Sequence, residues 1–138
     1  LAIGFKNLAL KQAKSAEMKK AVERVNKAMI AHSKMVSGEK RFDYDLMRSF
    51  PGQAVCKVGA EALEGIGFSE LKMGIVVKID DGNTRALYPA CVEVLKQLNI
   101  VDKIEKFPFL IRHERPEIKN LRGIVTGNIE AKFELKRV

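Results

Sequence analysis

The spacing of hydrophobic positions changes along this chain, and each change marks a new element. Leu1, Ile3, Phe5, Leu8 and Leu10 open the sequence and predict a short helix. Met18, Val22, Val25 and Met29 follow at steps of four, three and four, the stripe of an amphipathic helix. Ser15 stands where it can cap that helix, and charged residues from Glu17 to Lys27 occupy the other faces. The stripe, methionines included, is expected to fill the core. His32 falls at the helix end, where a structural role against the dipole is expected. Residues 36–40 interrupt the pattern. Asp43 then reads as the N-cap of a short helix carrying Leu46, Met47 and Phe50, which Pro51-Gly52 ends.

Beyond that point the period drops to that of strands. Residues 53–57, 63–68 and 72–79 predict three strands in succession, an antiparallel meander with Ser69-Glu70 between the last two. Asp80-Asp81-Gly82-Asn83 is turn chemistry ending in a cap. A helix over 84–98 follows, with Leu87, Cys91, Val94, Leu95 and Leu98 on one face. Pro89 is best tolerated in a first turn, which predicts regular helix only from near Tyr88. Residues 99–117, with Pro108 and Pro116, read as a linker whose Phe107, Phe109, Leu110 and Ile111 lie on the core. His113 carries no catalytic signal there. Residues 121–125 and 129–135 read as terminal strands around Gly127-Asn128. The order of elements predicts an α+β fold, an antiparallel sheet with helices packed on it, with residues 1–138 as a single domain.

Composition narrows the function classes. Hydrophobic residues make up 46% and charged residues 30%, as in a globular domain. No apolar run approaches the roughly 20 residues of a membrane span, and the first ten residues do not read as a signal peptide. Twenty-five Lys and Arg against 17 Asp and Glu give +8, but the basic residues are dispersed and tryptophan is absent. A solvated basic surface fits this better than a nucleic-acid site. Cys56 and Cys91 are lone cysteines inside apolar runs, which suits free thiols in the cytoplasm. Without CxxC or HxxxH spacing, no metal site and no cofactor are expected.

The stretch with most chemical content is Val55-Cys56-Lys57-Val58-Gly59-Ala60-Glu61. A lysine inside a buried strand is costly unless it is paired or used. Gly59, two residues on, bares backbone on the same face. One cation beside exposed main chain would suit an active-site wall. A hairpin with a snorkelling lysine would leave the same trace.

Three blocks carry a resemblance: Arg41-Phe42-Asp43-Tyr44-Asp45-Leu46-Met47, then Lys57-Val58-Gly59-Ala60-Glu61, then residues 74–86 from Gly74-Ile75 to Arg85-Ala86. In this order they resemble the C-terminal part of the bacterial and archaeal asparaginase II family, amidohydrolases related in fold to serine β-lactamases. The family pattern reads G-x-x-R-F-D-T-D-L-M, A-K-x-G-A-E-G and G-I-A-L-K-I-x-D-G-x-x-R-A. Asn120-Leu121-Arg122-Gly123 resembles that family's end. Tyr44 stands where the pattern has a small residue, and Ala62 where it has glycine.

The resemblance implies part of a β-lactamase/transpeptidase-like fold and hydrolysis of the side-chain amide of L-asparagine. It places the nucleophile serine in an upstream Ser-Gly-Lys-His-like segment, so the chain is expected to be the C-terminal portion of a longer enzyme, working with its N-terminal part. By this resemblance Lys57 is the catalytic lysine, Gly59 and Ala60 lie at the oxyanion, and Arg41 and Asp43 bind substrate. A homodimer is compatible with all of this. The competing expectation is a non-catalytic basic module for nucleic acid or an acidic partner.

Overall fold

A computed structural model describes residues 1–137. Helices α1 (Ala2–Leu10), α2 (Ala16–Ala31), α3 (Ser33–Ser37) and α4 (Phe42–Ser49) precede strands β1 (Ala54–Gly59), β2 (Leu63–Phe68) and β3 (Met73–Lys78). Helix α5 (Thr84–Gln97), a 3-10 turn at Ile104–Lys106 and α6 (Ile111–Glu114) follow, then β4 (Glu117–Lys119) and β5 (Val125–Asn128). Strands β1, β2 and β3 pair antiparallel in that order, while β4 and β5 make a separate two-stranded sheet. The architecture is α+β, as the order of elements predicts.

Register fixes the two faces of the meander. Lys57 lies opposite Gly65, Val58 opposite Glu64, and Gly67 opposite Gly74. One face therefore carries Lys57, Gly65, Gly67, Gly74 and Lys78, and α1 lies against it. A Cβ on Gly67 would stand 2.2 Å from the Phe5 carbonyl oxygen, and one on Gly74 1.9 Å from that of Ala2. The helix rests directly on strand backbone, and glycine is what lets it approach. The opposite face buries Cys56, Ile66, Phe68 and Ile75 with Phe42 and Leu46 of α4 and Leu87, Cys91 and Leu95 of α5. Phe42 stacks on Tyr88 at 5.4 Å, and Phe50 meets Phe68 edge-on at 5.2 Å.

The caps fall where the sequence puts them. Ser15 Oγ accepts from the Met18 N–H, and Asn83 Oδ1 from the Arg85 N–H. The Asn83 cap starts α5 early, so Pro89 sits inside the helix and not in its first turn. The apolar stripe of α2 departs from expectation: Met18 is 58% exposed and Val25 50%. The sheet face such a stripe would cover is taken by α1. What α2 buries is Asn26, whose amide donates to the Leu8 carbonyl at 3.1 Å.

Two further expectations need correction. Residues 99–117 are not a linker, because Val101, Leu110 and His113 are buried against the rest. Of the two expected terminal strands, only Val125 joins a ladder, in β5; Leu121 lies in a turn, fully exposed. Residues 129–135 alternate as a strand would, but among the described residues they form no strand. The Ile129 N–H bonds the Pro116 carbonyl at 3.0 Å, just before β4, and the rest joins no ladder. Gln97 ties this tail down, donating to the Phe133 carbonyl and accepting from the Leu135 N–H, both at 2.7 Å. Among the described residues no helix is long and apolar enough to cross a membrane.

Candidate active site

Asp43 does not cap α4. The N-cap position belongs to Arg41, which makes no side-chain cap bond. Asp43 is fully buried, and its Oδ2 reaches β1 to accept from the Val58 N–H at 2.9 Å. β1 is an outer strand, so that N–H has no ladder partner, and Asp43 satisfies it. A helix carboxylate thus stitches α4 to the open side of the sheet.

Lys57 lies on the α1 face at this open side. Its side chain is 45% exposed, so the strand does not bury it as its apolar neighbours suggest. The ammonium folds back around the edge, donating to the Val58 carbonyl at 2.8 Å and standing 3.9 Å from Asp43 Oδ2. Gly59 and Ala60 continue the edge into the turn, the first half-buried and the second exposed. Glu61 and Ala62 close that turn in the left-handed region, at φ 56° and 52°. An L-residue is strained there, and glycine would not be. Lys78, at the far end of β3, donates to the Glu61 carbonyl at 2.7 Å and to that of Ile79 at 2.6 Å, pinning the same turn.

The fold thus brings Lys57, Asp43, Gly59 and Ala60 to one edge. Arg41 is exposed at the start of α4, and its charge is felt by the Tyr88 phenol. Tyr44 lies under the guanidinium of Arg48, 5.2 Å from its ring centre.

Beneath this edge is a group that local spacing could not reveal. Asp43, Cys56 and Glu64 are all buried, and their ligand-type atoms lie within 4.8 Å of one another. Cys56 Sγ donates to Glu64 Oε1 at 3.2 Å. Burial, reinforced by the Asp43 carboxylate, pushes the Glu64 carboxyl up to about 9. Burial likewise raises the Cys56 and Cys91 thiols, keeping both protonated and unreactive. One sign of Glu64 was available, since it shares strand parity with Ile66 and Phe68, both core residues.

A second buried acid, Asp45, meets His113 Nε2 at 2.8 Å. Burial lowers the His113 pKa despite that partner, so the ring is a neutral brace between α4 and α6. The chain contains two Ser-x-x-Lys spacings, Ser37 to Lys40 and Ser69 to Lys72, and neither joins its serine to its lysine by a hydrogen bond among the described residues. The Ser69 hydroxyl donates to the Gln53 carbonyl at 3.1 Å, and Lys72 is exposed. Ser37 ends α3 with its hydroxyl buried and unpartnered among the described residues, while Lys40 is exposed beyond Gly38.

An α+β scaffold with a lysine and a carboxylate on an open strand edge can bind and polarise an anionic or carbonyl-bearing substrate. Residues 1–131 match the family model described as L-asparaginase II. The chain belongs to that family. No curated protein matches it.

Proposed function

We propose that this chain is the C-terminal portion of an L-asparaginase-like amidohydrolase, part of a β-lactamase/transpeptidase-like fold. The reaction is hydrolysis of the side-chain amide of L-asparagine to aspartate and ammonia. The observation that carries the reading is the Lys57 ammonium, on an open edge 3.9 Å from Asp43 and next to bare main chain at Gly59 and Ala60, in a member of this family.

A serine outside this stretch attacks the amide carbon as a base draws off its proton, and ammonia leaves with a proton returned from that base. Water then cleaves the acyl-enzyme to aspartate. Lys57 holds the substrate carboxylate and, as a cation, depresses the pKa of the attacking pair. At the Gly59–Ala60 edge the Ala60 main-chain N–H faces the developing oxyanion, the Gly59 N–H being turned inward to Leu63 in the ladder. Arg41 contacts the α-carboxylate. Asp43, being buried, acts by holding the Val58 edge and the ammonium in place.

The test is ammonia release from L-asparagine by the enzyme that contains this stretch. Wild type should turn over, and Lys57→Ala should fall by about 100-fold or more in kcat/KM, the scale of losing one preorganised charge. The stretch alone should be inert. Equal activity in the variant removes Lys57 from the reaction. Salt-dependent binding of nucleic acid without asparagine turnover would instead mark a basic binding module.

A further inference from the structure

Glu64 plays no part in the reaction just described, yet it is buried against a second carboxylate. Asp43 Oδ2 is occupied by the Val58 N–H and Glu64 Oε1 by the Cys56 thiol. The two remaining oxygens, Asp43 Oδ1 and Glu64 Oε2, are buried and have no partner among the described residues. An oxygen of each carboxyl lies within 4.8 Å of one of the other. Two adjacent buried negative charges are strongly unfavourable, and something must neutralise one. The groups around Glu64 are Asp43 from α4, Cys56 and Lys57 from β1, and Tyr88 and Cys91 from α5. Across β3 its neighbour is the apolar Val77. Lys57 is the cation among those groups, and it stands outside, half exposed, at the already occupied oxygen of Asp43.

We propose that Asp43 and Glu64 share a single proton between their two unpartnered oxygens, which makes Glu64 a positioning residue for Lys57. The line of donation is then complete. The Cys56 thiol donates to Glu64, the Glu64 hydroxyl to Asp43 Oδ1, and the Val58 N–H to Asp43 Oδ2, which faces the Lys57 ammonium. Removing the proton sets a second negative charge beside Asp43 and loosens its hold on the edge. The link to Lys57 rests on the asparaginase reading; the shared proton does not.

The native state keeps a proton that the unfolded chain releases above the ordinary carboxyl range. The stabilisation is full below that range and is lost as pH climbs towards about 9, tenfold in the folding equilibrium constant per pH unit. Glu64→Gln preserves both contacts, its amide N–H reaching Asp43 and its carbonyl accepting from Cys56, and removes the titration.

The infrared spectrum of the wild-type protein near neutral pH should show the carbonyl stretch of a protonated carboxyl, and Glu64→Gln should lack it. Relative to wild type, Glu64→Gln should gain up to tenfold in folding equilibrium constant for each pH unit across that window, whereas Glu64→Ala should be less stable throughout. In the active enzyme, Glu64→Gln should also lose any alkaline fall of kcat/KM that wild type shows near pH 9. If asparagine is not turned over, the spectral and stability results still stand and only the catalytic reading falls. A wild-type spectrum without the band overturns the proposal, as does a band that persists in Glu64→Gln. A stoichiometric divalent ion whose chelation unfolds the protein would mean that a metal, not a proton, neutralises the pair.

Discussion

The two outer strands of the meander each carry a lysine on the same face, and the two edges are built differently. At the β3 edge, Lys78 gives its ammonium to two main-chain carbonyls, those of Glu61 and Ile79. At the β1 edge, Lys57 gives one hydrogen bond to a carbonyl and stands 3.9 Å from a buried carboxylate. In sequence the two lysines look alike, each a single cation in a run of apolar residues. What separates them is Asp43, brought from α4 to the outer side of β1. The β3 lysine is spent on backbone and stabilises a strained turn. The β1 lysine keeps hydrogen-bonding capacity and an oriented charge.

Four perturbations sharpen that contrast, from the largest effect down. Gly67→Ala drives a methyl group into the Phe5 carbonyl and should cost about 3 kcal/mol in chemical denaturation, because α1 must lift from the sheet. Asp43→Ala leaves the Val58 N–H and the Glu64 carboxyl without their acceptor. It should cost about 2 kcal/mol and lower kcat of the enzyme, since the β1 edge loses its anchor. Lys78→Ala frees the Glu61 and Ile79 carbonyls to water, so about 1 kcal/mol of stability should go while asparagine turnover stays. Comparable losses of turnover at Lys78 and Lys57 would erase the distinction between the edges. Glu61→Gly, at φ 56° in the exposed turn, should stabilise by about 0.5 kcal/mol, measured as a raised thermal midpoint.

Away from both edges, His113 makes a pH-dependent prediction. Its folded pKa is lowered below 6.5, so the unfolded chain binds the proton more readily. Stability contributed by the neutral ring is present above the ordinary histidine value and is lost as pH falls below it. The thermal midpoint of wild type should drop below about pH 6, and His113→Gln should lack that component of the drop.

The meander, α5 and the caps at Ser15 and Asn83 were legible because local pattern and local chemistry decide them. β2 falls on the residues the alternation predicts, since Gly, Ser and Glu punctuation surrounds it. Periodicity also reported α2 correctly as amphipathic, but it cannot say what covers the stripe. Here the glycine-paved sheet had room for α1 and not for α2. Asp43 looked like a cap because caps are local, whereas its partner is Val58, fifteen residues on. The tail at 129–135 has strand alternation but meets the end of β4 only through the Ile129 N–H. In the candidate site, the motif residues Lys57, Gly59 and Ala60 could be read from the chain. Glu64 gave only its strand parity with Ile66 and Phe68, because its significance lies in a carboxylate from another element.

The most direct measurement is kcat/KM for L-asparagine in the enzyme carrying Lys57→Ala beside the same enzyme carrying Lys78→Ala, with folding of each checked by thermal melting. Both variants should remain folded, with turnover lost at Lys57 and kept at Lys78, if the β1 edge holds the active lysine. A folded Lys57→Ala enzyme as active as wild type would contradict it.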